Sequence, residues 1–276
     1  MLGKITVTRS LGLKVHTYTA PEEGWLVNSH LIELPTQFLA VDAQYMLPFA
    51  REVVEYGVSL GKPITRLYIT HYHPDHLLGA AAFRAPIYAL AEVRAKIEAV
   101  GDRVAAEEHA KHGEVIPLKA ERPSLLVTPG EETIDGIRVE FLQLQHAETE
   151  DALMLGLPDQ DIFITQDLLY SQVHVFVAER AFDTWLERLR AYQAQSYTRL
   201  LPGHGSPGGP ELYDSMLDYL AKAQDALAVA HNGVDLKARL IAAFPNYSGR
   251  VLLDHQQRFL FPPKNVEIGR QRKMPH

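Results

Sequence analysis

The chain has no cysteine among its 276 residues. Disulfides are therefore excluded, and so are thiolate-held zinc and any thiol nucleophile. A metal in this protein must be held by imidazole and carboxylate, a donor set that suits zinc, iron or manganese. No apolar run approaches the ~18 residues needed to span a bilayer. The N-terminus, MLGKITVTRSLGLKVHTYTA, lacks the apolar stretch and small-residue cleavage site of a signal peptide and reads as mature protein. The expected location is cytoplasmic. Positive charge is not in excess either: 27 Lys+Arg face 34 Asp+Glu, a net charge of -7. That balance argues against nucleic acid or an anionic membrane as the main partner. Histidine is what the chain does have, 13 in all and several of them clustered.

Hydrophobic residues at 46% and charged residues at 22% are ordinary for a soluble globular protein long enough to bury a substantial core. KVHTYTA, GWLVNSHLIELP and QFLAVDA read as strands of one meander. Residues 45–61 have helical spacing at Phe49, Val53, Val54 and Val58, and ITRLYIT is a buried strand. The stretch 91–113, rich in Ala and charge, reads as a helical insert. SLLVTPG, EETIDGIRVEFLQLQH, ALMLGLP, DIFITQDLLY and TRLLPGHG are further strands, with helices at 182–195 and 210–231. GVDLKARLIAAF looks helical, SGRVLLDHQQRFLFPP reads as helix or arm, and the tail GRQRKMPH as a flexible or interface segment. Two strand-rich halves, each ending in helices, predict a layered sandwich with helices outside two sheets. Residues 1–232 form its main domain, and 233–276 a C-terminal helical extension or arm packed on it.

The chemistry concentrates in T-H-Y-H-P-D-H, residues 70–76. His71 and His73 alternate along a chain leaving a strand, so both rings project to one side. Pro74 turns the chain, and Asp75 and His76 face back from the next helix. Four ligands on so short a loop cannot all bind one tetrahedral ion comfortably, but they can serve two adjacent ions. Each ion then needs ligands from elsewhere, and apolar strands deliver His146, Asp167 and His204 at their C-terminal ends.

With these residues in view, the sequence resembles the metallo-β-lactamase fold superfamily of metal hydrolases from about residue 10 to 230. T-H-Y-H-P-D-H fits that family's H-x-H-x-D-H motif, and His146, Asp167 in ITQD and His204 in LPGHG match its later motifs in order. The resemblance implies an α+β, four-layered αββα sandwich with its metals at one edge. It implies two divalent ions, zinc expected, with His71, His73 and His146 on the first and Asp75, His76 and His204 on the second. Asp167 bridges them, and Asp42 in FLAVDA steadies the metal-binding loop from behind. Departures mark a side branch: Ala43 and Gln44 where Thr-Gly is frequent, Ala147 after the third His, and Gln166 before the bridging Asp.

What the resemblance implies chemically is a binuclear hydrolase in which a metal-bridging hydroxide attacks an ester, thioester or lactone of modest size. Asp75 orients the nucleophile and passes a proton to the leaving group. Tyr170, three residues beyond Asp167, matches a tyrosine that bonds the substrate carbonyl in lactonases of this superfamily. The expected branch is glyoxalase II-like or lactonase-like. His174 and His30 are candidates for the substrate pocket, and His109 and His112 read as a solvated helix face. A mononuclear iron enzyme resembling persulfide dioxygenases and a non-catalytic ligand-binding member are the alternatives. The expected partner is a small-molecule substrate, with no nucleic acid and no membrane, and a homodimer stays open.

Overall fold

Four consecutive strands from position 4 onward form one sheet in chain order. The computed structural model describes residues 1–262. Strands β1 (Lys4–Ser10), β2 (Leu13–Thr19), β3 (Asn28–Glu33) and β4 (Phe38–Val41) form an antiparallel meander. After helix α1 (Leu47–Ser59) the chain returns as β5 (Ile64–Tyr68), parallel to β4. The short α2 (Pro74–Leu77), a 3₁₀ turn and β6 (Ile87–Ala89) follow. Helix α3 (Ala91–His112) leads to the two-residue β7 (Leu125–Leu126), which closes a seven-stranded sheet of order β1-β2-β3-β4-β5-β6-β7. Strand β1 was not expected from the sequence. It is an edge strand with only one neighbour, and its mostly half-exposed residues give no clean buried face.

The second sheet has order β12-β11-β10-β9-β8. Strands β8 (Gly130–Ile134), β9 (Ile137–Gln145), β10 (Asp151–Leu157) and β11 (Ile162–Ser171) are antiparallel neighbours. Helix α4 (Phe182–Gln193) carries the chain back to β12 (Arg199–Gly205), parallel to β11. Helices α5 (Glu211–Val229), α6 (Gly233–Ala243) and α7 (Arg250–Leu260) complete an αββα sandwich. Strands β10 and β11 are buried over nearly their whole length, as strands covered on both faces must be. No helix among the described residues is long and apolar enough to cross a membrane. The tail GRQRKMPH lies outside the described residues.

This topology fixes where chemistry can occur. Each sheet contains a parallel pair, β4 with β5 and β11 with β12. The C-terminal ends of parallel strands open into loops on one edge, where α/β folds place ligands. Asp42 follows β4, His71 follows β5, and β12 ends with His204 and Gly205.

Candidate metal centre

Asp42 organises the motif from below. Thr70 donates its N–H to Asp42 Oδ1 (2.8 Å) and its hydroxyl to Oδ2 (2.7 Å). That hydroxyl has spent its one proton, so it accepts from His71 Nδ1 at 3.0 Å. His76 Nδ1 donates to Asp42 Oδ2 at 2.7 Å, and His204 Nδ1 donates to the Trp25 carbonyl at 2.9 Å. Each of the three rings is thereby locked in the tautomer that leaves Nε2 bare. All three Nε2 atoms are buried without a hydrogen-bond partner among the described residues.

The bare nitrogens converge on carboxylates. His76 Nε2 lies 3.5 Å from Asp75 Oδ2 and 3.3 Å from Asp167 Oδ1. His204 Nε2 lies 3.2 Å from Asp75 Oδ2 and 3.4 Å from Asp167 Oδ2. Ligand atoms about 2.0–2.2 Å from a shared tetrahedral ion would stand roughly 3.4 Å apart, so this spacing fits a divalent metal. Asp167 reaches both halves, its Oδ2 also lying 3.9 Å from His71 Nε2. Gly203 lets it do so, because a Cβ there would overlap the Asp167 carboxylate.

The other half differs from the expectation. His146 is exposed and, among the described residues, belongs to none of the clustered ligand groups, so the fold does not bring it beside His71 and His73. Strand β9 stops at Gln145, and His146 adopts a left-handed backbone (φ 54°) that turns its ring to solvent. Glu148, two residues later, is buried and lies beside the two rings: Oε1 is 3.0 Å from His73 Nδ1, and Oε2 3.7 Å from His71 Nε2. Neither oxygen has a hydrogen-bond partner among the described residues. The only sequence signal was a second metal-ligand type in HAETED, beside a histidine that resembled the family more closely.

The electrostatics fit cations. Burial pushes the Glu148 carboxyl up to about 7, against the pull of His73. Burial acts against a charged His76, but Asp167, Asp75 and Asp42 outweigh it and hold that ring well above its usual range. Burial likewise opposes a charged His204, which Asp167 and Asp75 lift to about 9. In the metal-free protein, protons on Glu148, His76 and His204 would offset the crowding of the Glu148, Asp167, Asp75 and Asp42 carboxylates, the work that divalent ions do better. Removing metal with EDTA should therefore destabilise the fold by about 4 kcal/mol at metal a thousandfold over Kd. The Tm would fall by roughly 10 °C, and a melt unchanged by EDTA and re-added zinc would contradict this.

Tyr170 is buried at the cavity floor, its ring stacked on His204 (4.5 Å, 5°) and its hydroxyl donating to Asp167 Oδ2 at 2.6 Å. Burial and then the Asp167 and Glu148 charges raise its pKa well above the usual tyrosine range, so it stays a donor. The other pocket candidates fall elsewhere. His174 is packed against Tyr219, whose hydroxyl lies 3.1 Å from Nδ1, because the loop after β11 turns it towards α5. His30 is fully buried behind the centre between Thr17 and Gln166, with β3 aiming it into the sandwich. Neither lines the cavity over the cluster, which encloses about 290 Å³. Arg103, Val104 and Glu107 of α3 form one side of it, and α7 forms much of another. Val93 and Ile97 of the same helix are buried in the core and do not line this cavity. His109 is half-buried, with Nδ1 2.7 Å from the Ile116 carbonyl, while His112 is exposed.

An αββα sandwich whose parallel strand ends gather imidazoles and carboxylates defines a metallohydrolase-type fold. The chain belongs to the metallo-β-lactamase superfamily, whose sequence profile matches residues 25–204. It is 28% identical over 246 residues to a linear primary-alkylsulfatase from Pseudomonas sp., covering 73% of this chain and 45% of that protein. The chain thus spans less than half the length of that relative. Among solved structures, a metallo-β-lactamase from Pontibacter korlensis superposes with a TM-score of 0.62 at 19% identity, covering 79% of this chain and 99% of the other. The mono-zinc form of the FIM-1 enzyme from Pseudomonas aeruginosa gives 0.56 at 22% identity, covering 80% and 96%. At these identities the structures establish the fold alone.

Proposed function

We propose that this protein is a metal-dependent hydrolase of esters, with one divalent ion held by His71, His73 and Glu148, a second by Asp75, His76 and His204, and Asp167 between them. The observation that carries the reading is the convergence of buried, unpartnered imidazole nitrogens and carboxylate oxygens at ligand spacing beneath an open cavity. Bound ions would supply Lewis acidity and lower the pKa of water. The residues do the rest. Asp75 lines the cavity and holds a carboxylate oxygen where it can receive a proton and return it to a leaving group. Tyr170 holds Asp167 in place through its hydroxyl and presents that polar tip at the cavity floor.

Glu148 in place of a histidine adds a third carboxylate, so two divalent ions would carry less net positive charge than with His146. The alkylsulfatase relative brings sulfate monoesters into the substrate class beside carboxylic esters, thioesters and lactones. Zinc is the expected metal, and iron and manganese accept the same donors. The test is metal analysis after reconstitution, together with turnover of octyl sulfate, para-nitrophenyl octanoate, a thioester and a lactone. Two ions per chain and hydrolysis of at least one ester are expected. One iron per chain with no hydrolysis would return the oxygenase reading, and fewer than one metal would sink both.

A further inference from the structure

Glu108 is a buried carboxylate that the chemistry above does not use. It sits on α3, a helix otherwise faced with exposed charge, yet is only 1% exposed. Three donors from three parts of the chain converge on it: Tyr45 Oη at 2.7 Å, Lys111 Nζ at 2.6 Å and Arg258 Nη2 at 3.3 Å. A carboxylate so enclosed persists only when its oxygens are satisfied, so its partners are held as firmly as it is.

Two of those partners lead to the cavity. Tyr45 stacks on Trp25 (4.4 Å, 28°), and the Trp25 ring lines the cavity while its carbonyl holds His204. Trp25 and Leu26 are consecutive non-glycine residues with left-handed backbones (φ 62° and 58°), a conformation that needs outside support. Arg258 belongs to α7, where Leu252, His255, Arg258 and Phe259 recur on one face and all line the cavity. The His255 ring lies 4.4 Å from Trp25 and 5.8 Å from Phe176, whose ring stands edge-on 5.4 Å from His73. Trp25, Phe176, His255 and Phe259 thus form an aromatic slot leading to the ligand cluster, and Glu108 grips both of its sides.

We propose that Glu108 is a positioning residue for substrate: through Arg258 and through Tyr45 and Trp25 it holds this slot closed around the apolar group attached to the scissile ester. The inference rests on the cavity being the substrate site, and it deepens that reading by assigning selectivity for the apolar group to α7 and its latch. Glu108 touches neither the cluster nor the slot. Its loss loosens the slot without removing a ligand, so binding of long apolar groups suffers while the chemical step does not.

The first experiment compares para-nitrophenyl octanoate with the acetate in the metal-loaded protein and its Glu108→Gln and Tyr45→Phe variants, the second removing the hydroxyl that bonds Glu108 from a residue outside the cavity lining. Each variant is expected to raise KM for the octanoate about tenfold, with KM for the acetate and both kcat values within about twofold. A purely structural role would move both esters together. Equal changes for the two esters, or none, would overturn the proposal.

The second experiment is independent of hydrolysis. Trp25 is one of two tryptophans, so Trp185→Phe, checked for fold by circular dichroism, leaves it as the only indole emitter. Octanoate added to this metal-free protein is expected to change Trp25 emission saturably, with about tenfold weaker affinity once Glu108→Gln is added. No response to octanoate in the parent, or equal affinity in the variant, would also overturn it, whatever the ester panel shows.

Discussion

Replacing Glu148 by Gln is expected to lower kcat/KM by about 10³-fold and to abolish tight metal binding at the His71–His73 half, while His146→Ala stays within about twofold of the parent. The first effect follows from what the amide cannot do. Glu148 faces His73 Nδ1 at 3.0 Å and His71 Nε2 at 3.7 Å with two unpartnered oxygens. Glutamine keeps the shape but substitutes a neutral donor nitrogen for one oxygen and removes the charge that binds a cation. The second effect follows from exposure: His146 is turned to solvent by its left-handed backbone and packs against no ligand. Metal stoichiometry by mass spectrometry separates the cases, with Glu148→Gln retaining one ion of two and His146→Ala retaining both. Loss of an ion from His146→Ala, or full occupancy in Glu148→Gln, would reinstate the histidine.

That pair of variants also marks the limit of reading this site from sequence. His71, His73, Asp75 and His76 fall within six residues, so local chain geometry alone brings them together. Asp167 and His204 are legible because each sits on a strand whose apolar run is unmistakable. The third ligand of the first half depends instead on the tight turn at 146–150, where one left-handed residue decides which side chain points inward. No periodicity reports that choice, and the family pattern points to His146, whereas Glu148 is the residue clustered with His71 and His73. The role of α7 was hidden for a related reason. Its apolar and charged residues fit a surface helix equally well, and only tertiary packing turns Leu252, His255 and Phe259 towards the cavity.

The departure at Gln166 becomes intelligible once the fold is known. Strand β11 breaks register around this residue, which takes a left-handed backbone (φ 44°) at a position where the family often has glycine. The irregularity aims the Gln166 amide backwards rather than into the centre. Its Oε1 lies 3.1 Å from His30 Nε2, and its Nε2 donates to Asp42 Oδ2. Burial lowers His30 to about 4, which keeps that ring neutral near pH 7. His30, assigned to the pocket from sequence, therefore acts behind the ligands, as the far end of a buried polar chain reaching Asp42.

Asp42→Asn should be the most damaging change among residues that touch no substrate. Asp42 accepts four hydrogen bonds: Thr70 N–H on Oδ1, and Thr70 hydroxyl, His76 Nδ1 and Gln166 Nε2 on Oδ2. Every partner is a donor, so an acceptor-only group is required. Asparagine fails in both orientations. With its NH₂ at Oδ2 it opposes three donors, and with its NH₂ at Oδ1 it opposes the fixed Thr70 amide. The side chain and its surroundings are fully buried, so no water relieves the clash. Breaking such a buried charged network is expected to cost about 3 kcal/mol, a Tm drop on the order of 10 °C. That loss should appear in the metal-free protein too, because the four contacts lie within the chain. Zinc affinity should fall a further ~10–100-fold, since His76 loses the partner that fixes its tautomer. Calorimetric melts of the apo and zinc-loaded forms separate the two contributions. A variant with parental Tm in the apo form and parental zinc affinity would show that Asp42 does not organise this centre.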